Sequence, residues 1–432
     1  MLGDPRNDEN IIISQLHAAF LAFHNRTVDI LIERDYGRER EAFCREGPHC
    51  GAHELAEALP GDVKQKIFET AKDHVIHYYH RLIVEDFLPR VIGIKHTLNL
   101  LRHGRDFYFP QGFRNGDGKV HDAYIPVEFA AAAFRFGHSQ VRDSYNLRDG
   151  ARFDLLSDGE EGPRAFQPVT PHLIADWRYF FDIGGKRPYG FNYSRRIDPE
   201  LVKSLHRLDF SNVVGMHEVK SLAARNLARG KTLHLPSGQE VARIVLPALE
   251  ARGLLGKGGA DRNGHHGGAF WRAYLLPPDD RVAHFLRDAE TPLWYYILQE
   301  AGIFGTRTHL RAAPYNGDDD EVSSDFRRKG YGPLVHEASA HGKYRRYDAD
   351  RHNGYDGPDA GHRLGPVGAA IVGEVLTGLI DHYREKTGKG LDYRPEIKGS
   401  SSSFAGVDSY GHEGHRYLMR NFLIDAGVVE EH

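Results

Sequence analysis

Two groups of residues in this sequence have the type and spacing to hold a metal or an anion. His138 follows an alanine-rich run, Ala130–Ala133, and Arg135 lies three residues earlier, one helical turn back. A metal-ligating histidine must project from a rigid element with one ring nitrogen on the metal and the other held by an acceptor. Spacing alone does not set His138 apart, because an exposed His with an Arg one turn away is usually a solvated pair. His74, His77 and His80 also recur at three-residue intervals on one helical stretch, but no acidic residue completes a ligand set there.

The elements that would carry these groups read as helices. Apolar residues Ile12, Leu16, Phe20, Phe23, Ile30 and Leu31 predict an amphipathic helix from Glu9 to about Glu33. Residues 62–88 predict a second, ending at Pro89. IPVEFAAAAFRFGHSQVRDSY starts a helix with Pro126 at its first position and carries it to about Tyr145; its alanines would thin one side enough for a bulky group to approach. Residues 146–195 are rich in Gly, Pro and Asp and predict loops with short strands.

Helical signals resume from Pro199 to Arg229, followed by a capping box of Ser237 and Glu240. Two further helices open at Thr291-Pro292 and around Pro366. The fold class is mainly α, with few short strands. One helical domain is expected over 1–390, carrying surface insertions at about 253–270 and 304–362, and 391–432 reads as a loosely attached tail closed by a short helix at RYLMRNFLIDAG.

Composition narrows the partners. With 27% charged and 40% hydrophobic residues and a net charge of -4, the chain lacks the basic field that nucleic-acid binding needs, and no apolar run is long enough for a membrane span. Cys44 and Cys50 leave a local disulfide and two free thiols equally open. The start MLGDPRNDEN has neither the basic nor the apolar stretch of a secretory signal, so the chain as written is expected in the cytoplasm, with secretion open if the true N-terminus is missing.

The motifs GDPRNDEN, SQLHAAFLAFHNR, FLPRVIG, AFRFGH, ARNLARG with LPSG, TPLWYY and LGPVG stand in an order that resembles the animal-type haem peroxidases and their bacterial relatives. They lie within residues 1–95, 125–145, 205–250, 286–301 and 363–380; the insertions and tail have no counterpart. The resemblance implies a peroxidase-like helical fold, a haem b cofactor, and hydrogen peroxide with a small organic donor or halide as substrates. It makes His138 the axial ligand to iron and Asn226 the residue whose side-chain oxygen accepts the proximal His N–H. It puts Arg135 and Arg229 near the haem propionates and Arg6 on the distal side, where it would stabilise negative charge on the departing oxygen. Glu9 matches the glutamate that some members ester-link to a haem methyl, and His17 and His24 match packing positions.

Some relatives are fatty-acid dioxygenases with a radical tyrosine three residues before the proximal histidine; Arg135 occupies that position here and disfavours that activity. In the family, over a hundred residues usually precede the GDPR motif and supply the distal histidine and a calcium loop, whereas only Met1 and Leu2 precede Gly3. Calcium binding is therefore not expected, and the distal base is expected from a missing N-terminal segment, a second subunit, or tail residues His412 and His415. The alternative readings are a haem-binding homologue that has lost peroxidase activity and a haem oxygenase-type tailoring enzyme.

Overall fold

The computed structural model describes residues 10–39, 52–109, 123–154, 169–181, 183, 188, 190–208, 219–254, 290–304, 361–389 and 417–429. Helix α1 spans Ile11–Tyr36, and its first turn is capped by Asn10, whose Oδ1 accepts the N–H groups of Ile12 and Ile13. Two further helices, α2 (Ala52–Ala58) and α3 (Gly61–Arg81), lie along it. Their contact is a cluster of Leu31, Ile32, Leu55, Leu59, Ile67 and Ala71.

Pro89 does not end the second long helix. The chain passes from α3 through a π-helical turn, Leu82–Phe87, into α4 (Leu88–Val91), with the Leu88 N–H bonded to the Ile83 carbonyl. Pro89 then falls in the first turn of α4, where no N–H partner is needed. Gly93, at φ 87°, makes the break before α5 (Ile94–His103).

The helix expected from Pro126 to Tyr145 is broken into three pieces. A short α6 (Val127–Ala131) ends at Ala132 (φ −130°, ψ −75°), a 3-10 helix covers Ala133–Gln140, and the chain is already extended by Ser144. The alanines do not leave a thin side for a bulky group: Ala131, Ala132 and Ala133 are buried, the last two in the main core cluster, and only Ala130 is exposed. Their small size lets another helix approach closely instead.

Strands β1 (Ser144–Arg148) and β2 (Ala151–Asp154) form an antiparallel hairpin, as the Gly- and Asp-rich composition suggested. Arg148 pairs with Ala151 across Asp149-Gly150, and Gly150 adopts φ 72°, a backbone state that favours glycine. Pro199–Arg229 is likewise not one helix. A 3-10 turn, Lys203–His206, and α7 (Leu222–Thr232) are its described regular pieces, and α7 starts where the Ser221 hydroxyl accepts the Ala224 N–H.

The predicted capping box opens α8 (Gly238–Ala251): Ser237 Oγ accepts the Glu240 N–H at 3.2 Å, and the Ser237 N–H donates to Glu240 Oε2 at 2.8 Å. Helices α9 (Leu293–Phe304) and α10 (Pro366–Thr387) occur where their caps placed them. Helices α4, α5, α8, α9 and α10 converge on the main core, whose fully buried residues include Leu88, Ile92, Leu246, Ile297, Leu298 and Val367. Of the two expected insertions, nearly all residues lie outside the described ones, as do Cys44, Cys50, His412 and His415.

The closing helix α11 (Met419–Asp425) is present and is firmly held. Phe422 and Leu423 are fully buried in a cluster with Ala19 and Phe23 of α1, Tyr78 of α3, Leu82, and Trp177. The π-helical turn presents Glu85 and Asp86 to this segment: Glu85 accepts the Tyr417 N–H, and Asp86 accepts the Met419 N–H at 2.9 Å. The expectation of a loose attachment came from the polar run before the helix, which says nothing about the apolar face after it.

Candidate haem site

The 3-10 helix Ala133–Gln140 carries Arg135 and His138, and its position is fixed from two sides. Ser139, fully buried, donates its hydroxyl to the Phe136 carbonyl at 2.8 Å, which ties the turn to itself. From the other side, Trp294 on α9 donates its indole N–H to the Arg135 carbonyl at 3.3 Å. The start of α9 is in turn bonded to the start of α8, because the Thr291 carbonyl accepts the Gly238 N–H at 2.9 Å and Thr291 exchanges bonds with the Gln239 amide.

Asn226, on α7, is completely buried between His138 and Arg135. Its Nδ2 lies 2.9 Å from His138 Nδ1, and its Oδ1 accepts the Arg135 Nη1–H at 2.8 Å. Three residues further along α7, one turn away, stands the exposed Arg229. The chain thus brings together four of the six expected site residues from two segments nearly ninety positions apart. The remaining two, Arg6 and Glu9, lie outside the described residues.

The partnership of Asn226 differs in one respect from the sequence expectation. The amide nitrogen, not the oxygen, faces His138, because the oxygen is taken by Arg135. An arginine has donors only, so the reverse placement would set two N–H groups against each other.

Electrostatics follows from this packing. Burial lowers the His138 pKa to about 4, and the Arg135 charge pushes it the same way, so the ring is neutral at pH 7. A neutral imidazole does not have to lose a charge before it can ligate a metal. The Arg135 guanidinium has its own pKa lowered, first by burial and second by repulsion from Arg229. Among the described residues no carboxylate pairs with either arginine, so Arg135 beside His138 and Arg229 near Arg135 are left to face an anion.

There is also room. A Cβ added to Gly137 would meet no atom within 4 Å, so the residue adjoining the histidine borders open space. A neutral imidazole backed by an amide, two adjacent guanidinium groups and an open flank fit a planar metal-bearing ligand with carboxylates at its edge. Among the described residues no group of three or more His, Cys, Asp or Glu could hold a free metal ion, and the stripe of His74, His77 and His80 forms none.

Comparison with known proteins agrees in kind. The family model for "Animal haem peroxidase" matches residues 1–241, more than half of the chain. The chain belongs to the animal haem peroxidase family. Within this family it is 25% identical over 192 residues to "Heme peroxidase 2" of Caenorhabditis elegans, covering 43% of this chain and 21% of that protein. It is 23% identical over 242 residues to "Peroxidase mlt-7" of the same organism (54% and 26%) and 23% identical over 175 residues to "Peroxinectin A" of Dictyostelium discoideum (40% and 24%). The peroxidase match therefore spans about a quarter of the length of each of these curated relatives. Arg6, Arg135, His138, Asn226 and Arg229 all fall inside the matched residues, whereas α9, α10 and α11 fall beyond them.

Sequence reading overlooked the residues that hold this candidate site in place. Trp294 and Thr291 were visible only as parts of the TPLWYY motif, and nothing local in that motif announces that its indole braces the histidine-bearing turn. Among the described residues no helix is long and apolar enough to cross a membrane.

Proposed function

We propose that this chain is a haem-dependent peroxidase module that uses hydrogen peroxide to oxidise a small organic donor or halide. The reading rests on family membership together with one observation: a neutral, half-buried histidine, His138, backed by a buried amide and by the Arg135 guanidinium, with Arg229 near it, neither arginine paired with a carboxylate among the described residues. Haem b, when bound, supplies an iron centre able to accept peroxide and pass its oxidising equivalents to a donor.

The chain's own residues divide the work. His138 would hold the iron through Nε2, the ring nitrogen not engaged by Asn226. Asn226 fixes the ring plane and sets the basicity of the ligand through its contact with Nδ1. Arg135 and Arg229 would orient the ligand by pairing with its propionates, charge-assisted contacts that a porphyrin without carboxylates could not make. Arg6 would stabilise negative charge on the departing oxygen, and Glu9, which matches the glutamate some family members link to haem, would be the residue to form such an ester. No calcium is needed for any of these roles. The proton on peroxide needs a distal base, for which His412 or His415 of this chain, a second subunit and a further segment of the whole protein are the candidates.

The test is an absorption titration of the purified chain with haemin, with and without His138→Ala, followed by peroxide-dependent oxidation of a phenolic dye. A stoichiometric Soret band that His138→Ala abolishes or shifts, with dye turnover, is the expected result. Identical spectra from the two chains would refute the axial assignment. Haem binding without turnover would reduce the reading to a haem-binding homologue that has lost activity.

A further inference from the structure

Tyr417, two residues before α11, is buried and donates its phenolic O–H to Asp425 Oδ2 at 2.8 Å; Asp425 is buried as well. Both lie beyond the family-matched residues 1–241. A buried phenol needs an acceptor, but a neutral carbonyl would serve it at a smaller desolvation cost than a carboxylate. The Arg81 guanidinium stands over the rings of Tyr417 and Tyr78, at 5.4 and 5.8 Å from their centroids. It is paired with Glu85, which accepts the Tyr417 backbone N–H. Burial first, and the Asp425 charge second, hold the phenol protonated, well above its ordinary pKa of 10. Such a group does not ionise near neutral pH, yet it can lose an electron and a proton together, because a base is already in contact with it.

A line of aromatic rings runs from the histidine-bearing turn to this pair. Tyr145, whose hydroxyl accepts the Arg142 N–H at 3.0 Å just beyond that turn, stacks on Phe180 with centroids 6.2 Å apart. Phe180 meets Trp177 at 5.7 Å, and Trp177 is buried in one cluster with Tyr78 and Tyr417, whose rings are 4.5 Å apart. Tyrosine and tryptophan are among the side chains most easily oxidised by one electron, and short gaps between packed rings let an electron hop without crossing water.

We propose that Tyr417 is a redox-active residue, which gives up one electron through this line of rings while its phenolic proton passes to Asp425. This rests on the haem reading above, which supplies the one-electron oxidant at the far end of the line. The step balances: the phenolic O–H bond breaks, an O–H bond forms on the Asp425 carboxylate, the oxidant gains one electron, and a neutral tyrosyl radical remains. Arg81 opposes loss of the electron alone, because a ring that kept its proton would be a cation facing a guanidinium. An electron returning along the line restores the phenol with the proton held by Asp425. The pair thus stores one oxidising equivalent inside the cluster that seats α11 on α1 and α3.

The experiment is electron paramagnetic resonance on the full chain, oxidised in two ways: by hydrogen peroxide after loading with haemin, and by photogenerated tris(bipyridine)ruthenium(III), a one-electron oxidant that needs no haem. Both should give a tyrosyl signal whose high-field g-tensor shows a hydrogen bond to the radical oxygen, donated by the protonated Asp425. Tyr417→Phe, which removes only a hydroxyl, should lose most of that signal. Asp425→Asn should slow its appearance by about a hundredfold, the lower end of what a positioned proton acceptor contributes. An equal signal in Tyr417→Phe, or an unchanged rate in Asp425→Asn, would overturn the proposal. Circular dichroism establishes that each variant is folded, and an unsubstituted chain without the hydrogen-bonded signal under light would overturn the proposal by itself. A chain that binds haemin and gives the signal under light but not with peroxide would overturn the link to the haem site. Failure to bind haemin would overturn the haem reading instead, and the light-driven arm decides the role of Tyr417 in either case.

Discussion

Glu300 on α9 accepts the Val367 N–H through both carboxyl oxygens, at 3.0 and 3.1 Å, at the first turn of α10. One of those oxygens also takes the Gly368 N–H at 3.2 Å. The contact caps a helix whose own N-cap residue, Gly365, has no side chain to offer, and it requires that absence: a Cβ on Gly365 would lie 2.2 Å from Glu300 Cγ.

Full burial raises the Glu300 pKa to about 8 against an ordinary 4.5, despite the two backbone donors. A carboxyl whose folded pKa is raised contributes stability that is complete below about 4.5 and is lost as pH climbs through about 8. Urea midpoints should therefore fall between those pH values, and Glu300→Gln should remove that part of the slope. Glu300→Ala, which also strands the two N–H groups, should cost about 2–4 kcal/mol near neutrality.

Gly238 offers a steric test of how α8 meets α9. A Cβ there would come within 2.0 Å of Tyr296 Cγ, a ring buried in the main core. Gly238→Ala should destabilise the chain by about 1–3 kcal/mol through overpacking. Gly137→Ala, where a Cβ meets nothing within 4 Å, should stay within about 0.5 kcal/mol of the unsubstituted chain. Equal losses in the two variants, measured by chemical denaturation, would contradict the packing described.

Removal of the Phe422 ring tests whether α11 belongs to the folded body. The ring is 1% exposed and packs against Phe20 and Phe23, with centroids at 4.2 and 5.3 Å. Phe422→Ala should cost about 3–5 kcal/mol, and limited proteolysis should then cut near residue 417 sooner than in the unsubstituted chain. A change under about 1 kcal/mol would mean that α11 is not seated on α1.

Asn226→Ala leaves the Arg135 and His138 polar atoms without the amide that serves both. A loss of about 1–3 kcal/mol is expected from the stranded groups, read as a lower melting midpoint of the haem-free chain. His138→Ala should cost less, because the Asn226 NH2 is then the one group stranded.

The sequence by itself determined where most helices begin and which residues could meet at a site. Asn10, Ser221, Ser237 and Pro366 start helices for reasons local to a few residues: a side-chain acceptor for free N–H groups, or a ring that has no N–H to lose. The ordered motifs carried the family, and with it the expectation that Arg135, His138, Asn226 and Arg229 belong together. What tertiary structure decided were events that depend on neighbours distant in the chain. Burial of Ala132 and Ala133 against the core goes with a helix broken at Ala132, and the π-helical turn carried the helical path from α3 into α4, past Pro89. Arg135, by taking the Asn226 oxygen, fixed which atom of the amide His138 would see. Periodicity records only that a face is apolar or polar; the orientation of a single buried amide depends on every donor and acceptor around it, and those are assembled only when segments far apart in sequence pack together.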